Sequence, residues 1–153
     1  MNRRVVAYCS TVIMLLALAG CASREEKELK KFVEDYNKTL QTIYRTANLN
    51  PLGPYATENE LARVFPIIQA LSASDSIMPT EIKKFNAVKA EISAGGVKAL
   101  VETRETWEYR WENKKTGRIV KPSNTESYHL RYYILKQKNG WKVDRIELLD
   151  ENK

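Results

Sequence analysis

One α+β domain is the fold class that this sequence predicts, because its hydrophobic period changes halfway along the chain. Up to about residue 71 the apolar residues recur at helical spacing, and beyond residue 86 they alternate. Two hairpin signals, Gly95-Gly96 and Asn139-Gly140, fall inside the alternating half. Helices first and a meander of antiparallel strands afterwards is the order that follows.

The chain opens on a leader. Arg3 and Arg4 form a basic start, Val12 to Leu18 an apolar stretch, and Leu18-Ala19-Gly20-Cys21 closes it with small residues before a cysteine. The apolar run is broken by Tyr8, Ser10 and Thr11, and a bilayer span needs about 20 mostly apolar residues. The run is therefore expected to be a secretory signal over residues 1–20. Those four residues resemble the bacterial lipobox, which implies that Cys21 becomes a lipidated N-terminus. Two or three acyl chains there would hold the protein on a membrane. With Ala22 and Ser23 next and no Asp, the resemblance implies the outer membrane, facing the periplasm, in a Gram-negative host.

Removing 20 of the 153 residues leaves 133, enough for one modest core. Cys9 would leave with the signal, so the remainder forms no internal disulfide and depends on packing. The full chain is formally +6, and loss of Arg3 and Arg4 brings this to +4. A charge of that size aids solubility or favours anionic neighbours such as lipid headgroups. No compact basic block points to nucleic acid.

Residues 21–27 read as the lipidated cysteine and a polar tether, and 28–149 as the domain. A first helix carries Leu29, Phe32, Val33, Tyr36, Leu40, Ile43, Tyr44 and Ala47 on one stripe and stops near Asn48. A second begins at Thr57, where Thr57-Glu58-Asn59-Glu60 matches a capping box with Glu60 reaching back. Leu61, Val64, Phe65, Ile68 and Leu71 form its buried face, and Pro66 is expected to kink or split it. Ser72 to Pro79 reads as a loop.

A strand ending at Ile92 turns at Gly95-Gly96 into one running from Val97 to about Glu112. The register places Ile92 against Ala99, Ala90 against Val101, Val88 against Thr103 and Lys89 against Glu102. Asn113 to Arg118 is a turn, and Pro122-Ser123-Asn124 is expected to break the next strand before Glu126. The turn at Asn139-Gly140 places Tyr132 against Glu147, Tyr133 against Ile146 and Ile134 against Arg145. Neither face of that hairpin is uniformly apolar, as in a strongly bent sheet. Residues 150–153 read as a frayed polar tail.

Three stretches carry a wider resemblance: the first helix with Phe32, Tyr36 and Tyr44; Glu105-Thr106-Trp107-Glu108-Tyr109; and Tyr132-Tyr133-Ile134-Leu135 leading to Asn139-Gly140-Trp141. Together they resemble an NTF2-like domain, a cone of helices in a curved antiparallel sheet. More narrowly they are similar to membrane-tethered extracytoplasmic members, such as the C-terminal domain of teicoplanin-resistance-associated proteins and a domain of chloroplast-division proteins. The resemblance implies a fold that hosts isomerases, dehydratases and inert assembly modules alike, so it does not choose a function.

Glu105 is the carboxylate of interest. It alternates with Val101, Thr103, Trp107 and Tyr109, and an acid among apolar side chains is expected to have a raised pKa. Asn86 falls opposite it as a hydrogen-bond partner. The alternative is a bend where Glu105 meets solvent or a lysine. His129, the chain's single histidine, approaches Asp150 by register and has few partners for catalysis. Trp107, Tyr109 and Trp111 form a ladder that is either core beneath the first helix or, in an open cleft, a stacking surface for a ligand. No metal-ligand spacing and no phosphate loop occurs, and no cofactor is expected.

The expectation is a lipid-anchored envelope module without catalytic activity, binding an envelope protein or a small apolar ligand. The competing expectation is an isomerase- or dehydratase-type enzyme using Glu105 as general acid or base. A homodimer on the outer sheet face is a third.

Overall fold

The structure, a computed structural model, describes the backbone of residues 3–151 and the side chains of residues 24–149. The leader expected over residues 1–20 and Cys21, expected to be lipidated, lie outside the residues whose side chains are described. Among the described residues no helix is long and apolar enough to cross a membrane.

Helix α1 spans Arg3–Thr46 and continues through residues 24–27, expected in a tether, with exposed side chains there. Its predicted stripe faces inward: Leu29, Val33, Tyr36, Leu40 and Ile43 are buried. Ala47 adopts a left-handed conformation (φ 51°) and ends the helix one residue before the expected stop. A short 3-10 turn, Asn50–Leu52, leads to helix α2, Glu58–Ala73.

Thr57 is the N-cap of α2, its hydroxyl accepting from the Glu60 amide. Glu60 does not complete a capping box. Its side chain turns inward, and the Thr57 amide donates instead to the Val143 carbonyl at 2.9 Å. Pro66 does not split α2, which is continuous through it. Val64, Ile68 and Leu71 are buried as expected, whereas Phe65 is 51% exposed.

Strands β1 (Ser76–Ile77), β2 (Thr80–Ile92), β3 (Lys98–Asn113), β4 (Ile119–Gln137) and β5 (Gly140–Glu151) form one antiparallel sheet. Both β1 and β2 line one edge of β3, and the order continues β3, β4, β5. Part of the expected loop over 72–79 is thus the last turn of α2, and part is β1.

The first hairpin keeps its predicted register from Ile92/Ala99 to Ala90/Val101 and Lys89/Glu102. Its turn is wider than two residues: Ser93 N donates to Lys98 O, and Gly96 (φ +66°) donates to Ser93 O. Beyond Lys89 a bulge expels Val88, 50% exposed, so Thr103 pairs with Ala87. In consequence Phe85, not Asn86, lies opposite Glu105, and Asn86 pairs with Arg104. The Lys89 ammonium binds Glu91 at 2.8 Å, while Glu102 takes Arg131.

Pro122 does not break β4. The strand runs through it because register shifts between Tyr109 and Glu112 absorb the residues around it. In the last hairpin the loop is Lys138–Asn139, one residue earlier than expected, and Gly140 opens β5 at φ +111°, a conformation that favours glycine. Tyr132 therefore pairs with Ile146, Tyr133 with Arg145 and Ile134 with Val143. Two bulges in β5 follow, and the second restores the expected pairing of His129 with Asp150. The expected tail thus begins inside β5, and residues 152 and 153 lie outside those described.

These bulges curl the sheet around α1. The core lies between them, joining Tyr36, Leu40 and Ile43 to Val101, Tyr132, Ile134 and Val143. The 53–57 segment is pinned to β5: Val143 N donates to Tyr55 O, and the Lys142 ammonium to Gly53 O at 2.7 Å. The Asp144 bulge accepts from the Thr57 hydroxyl at 2.8 Å, tying the start of α2 to the sheet.

Candidate functional site

Between α1, α2 and the concave sheet face lies a cavity of about 570 Å³. Helix α1 contributes Asn37, Leu40 and Tyr44, helix α2 Arg63 and Ile67, and the sheet Tyr109, Tyr128 and Tyr132 with Trp107, Leu130, Ile146 and Leu148. Arg63 is the one charged residue in the described lining. The volume falls in the range of about 300–1,000 Å³ typical of small-molecule pockets.

Glu105 is buried, 2% exposed, and does not line this cavity. Its surroundings are polar, contrary to the expected apolar setting. Oε1 accepts from Asn37 Nδ2 at 3.0 Å, from the Thr103 hydroxyl at 2.7 Å and from the Tyr132 hydroxyl at 2.8 Å. Oε2 accepts from the Trp107 indole N–H at 2.7 Å. A carboxylate holding four donors in the interior is a clamp: it ties α1 to β3 and β4 and fixes the ring planes of Trp107 and Tyr132. Three of its donors, Asn37, Trp107 and Tyr132, form cavity wall. The partner predicted for it, Asn86, is exposed on β2, and the amide that binds it is Asn37, on a different element.

A second buried carboxylate was not foreseen. Glu60, 1% exposed, accepts from the Tyr36 hydroxyl and bidentately from Arg63, with Nε to Oε2 at 2.8 Å and Nη2 to Oε1 at 2.6 Å. The pairing raises the Arg63 pKa, so the guanidinium stays charged. Tyr36 and Tyr132 meet edge to face at 6.1 Å, bringing the two carboxylate networks side by side. Both phenols are pushed well above the usual tyrosine range, first by burial and then by the neighbouring carboxylate. The signal for Glu60 was present in the sequence as an apolar-face position, but its capping-box spacing suggested another partner.

The aromatic ladder divides. Trp107 is buried and lines the cavity floor, and Tyr109 lines the cavity with its hydroxyl given to Glu126 at 2.8 Å. Tyr128 also donates to Glu126, whose pKa is lowered chiefly by that bond. Trp111, beyond the register shift, is half-buried outside the cavity with the Lys121 ammonium 5.3 Å from its ring centre. His129 lies on the opposite sheet face. Its Nε2 has no hydrogen bond and sits 3.9 Å from Glu102. Among the described residues no three His, Cys, Asp or Glu side chains are grouped to hold a metal.

No family profile matches the chain, and no curated protein matches it in sequence. Solved structures do resemble it. The intermembrane space region of chloroplast protein ARC6 superposes with a TM-score of 0.65 at 18% identity, over 78% of this chain and 95% of that one. A periplasmic fragment of TraM gives 0.54 at 10% identity, over 80% and 95%. An NTF2-like superfamily protein from Salmonella enterica serovar Typhimurium gives 0.53 at 8% identity, over 83% and 94%. At these identities the likeness is one of fold: the chain has the α+β NTF2-like cone.

Proposed function

We propose that this chain is a lipid-anchored, extracytoplasmic binding module whose cavity takes an apolar ligand, and that it has no catalytic activity of its own. The observation that carries the reading is the withdrawal of Glu105. An acid or base must reach the proton it transfers, and this carboxylate lies behind the cavity wall, holding four donors of which three are wall residues. Apart from Asn37, Arg63 and Thr80, what faces the cavity is aromatic and aliphatic surface. The lipobox-like Leu18-Ala19-Gly20-Cys21 supports the anchor. Two of the similar folds are described as an intermembrane space region and a periplasmic fragment, compartments outside the cytoplasm.

The test is titration of the full-length protein with the apolar fluorophore N-phenylnaphthylamine, beside metabolic labelling with radioactive palmitate. Saturable binding that Ile146→Trp abolishes is expected, with label lost in Cys21→Ser. Absence of saturable binding removes the cavity reading, and persistent label in Cys21→Ser removes the anchor.

A further inference from the structure

The polar groups around the cavity are arranged unevenly. On the floor, one N–H of Asn37 Nδ2, the Trp107 Nε1–H and the Tyr132 hydroxyl are given to Glu105. The Tyr109 and Tyr128 hydroxyls go to Glu126, and the Thr80 hydroxyl to the Met78 carbonyl. A polar ligand group pushed into the floor would lose its water and find these donors engaged. An apolar chain loses nothing there and covers Leu40, Leu130 and the Trp107 ring.

The rim differs. The Arg63 side chain is 46% exposed, while the Glu60 carboxylate that it grips is fully buried behind it. Nε and Nη2 are used by Glu60, and no hydrogen bond engages Nη1 among the described residues. Ile67 and Leu148, also cavity-lining, are exposed beside this rim. Tyr44 lines the same cavity, and burial raises its pKa, so its hydroxyl remains a donor. Anything entering thus meets a cation first and apolar surface beyond it.

We infer that the cavity takes a free single-chain amphiphile, with its carboxylate head on the Arg63 guanidinium at the rim and its alkyl tail on the floor. This rests on the binding reading above and adds the ligand class. The Glu60 pair holds the guanidinium fork in place before the ligand arrives, which reduces the ordering cost of binding.

Equilibrium dialysis of the full-length protein in nanodiscs, against empty discs, would be run with octanoate, octanol and octylamine. These share one tail and differ in head. The expected order is octanoate tighter than octanol by about tenfold, the worth of one charge-assisted hydrogen bond, with octylamine weakest. Glu60→Gln/Arg63→Gln removes the ion pair as a unit, so that no buried charge is orphaned, and should bring octanoate down to octanol. Equal binding of octanoate and octanol by the unmodified protein overturns the inference while the binding reading stands. So does an octanoate preference that survives in a folded double variant. If none of the three binds, the cavity reading itself falls.

Discussion

At the residue scale the molecule turns on two carboxylates that are both buried and fully paired. Glu105 accepts four hydrogen bonds, and glutamine in its place can accept at only one atom while presenting two new donors. Either Trp107 or the Asn37, Thr103 and Tyr132 group is then left facing an N–H. Glu105→Gln is expected to destabilise the protein by about 2–3 kcal/mol, read as a lower urea midpoint with an unchanged slope. A midpoint equal to that of the unmodified protein would show that the clamp is dispensable. The alternation of β3 made the inward position of Glu105 legible. Its partners were not legible, because Asn37 is 68 residues away on a helix.

At the element scale the departures from sequence expectation are mostly bulges and one proline. Val88, Asp144 and Leu149 each add a residue to a strand, and each shifts the pairing beyond it. Strand existence was readable from period two. Bulge positions were not, because they answer to the curvature needed to wrap α1. Pro66 sits on the exposed side of α2, where it removes the bond to the Ala62 carbonyl that a continuous helix would make. Replacing it tests whether α2 is strained. Pro66→Ala is expected to raise the urea midpoint by the equivalent of about 1–3 kcal/mol, and a lowered midpoint would mean that Pro66 is needed where it stands.

At the scale of the whole molecule, the convex sheet face is laced by charge across three strands. Glu102 on β3 holds Arg131 on β4 at 2.8 Å, and Arg131 reaches Glu147 on β5 at 3.6 Å. Arg131 holds the Glu102 carboxyl below the usual range, with Lys89 and His129 contributing less. A carboxyl whose folded pKa is depressed stabilises the fold above its unfolded pKa, about 4.3, and loses that contribution as pH falls through the folded value. The stability difference between the native protein and Glu102→Gln should therefore hold from pH 7 to about 5 and shrink in stronger acid. A difference that grows on acidification would contradict the assignment. The pair is solvent-facing, so the effect should be small and weakened by salt.

The sequence by itself determined the α+β class, the buried stripe of α1, the start of α2 at Thr57 and the upper register of the first hairpin. Each of these depends on residues close in the chain or on a strict period, which burial on one face enforces. It also placed Trp107 and Glu105 on the inner face. Only the tertiary structure decided that Glu105 faces donors and does not line the cavity, that Glu60 joins the interior, and that the ladder loses Trp111. Those outcomes depend on which helix meets which strand after the sheet has bent. The bend is set by the sum of several bulges and by the volume of α1 that the sheet must enclose, and no local stretch of sequence contains that sum.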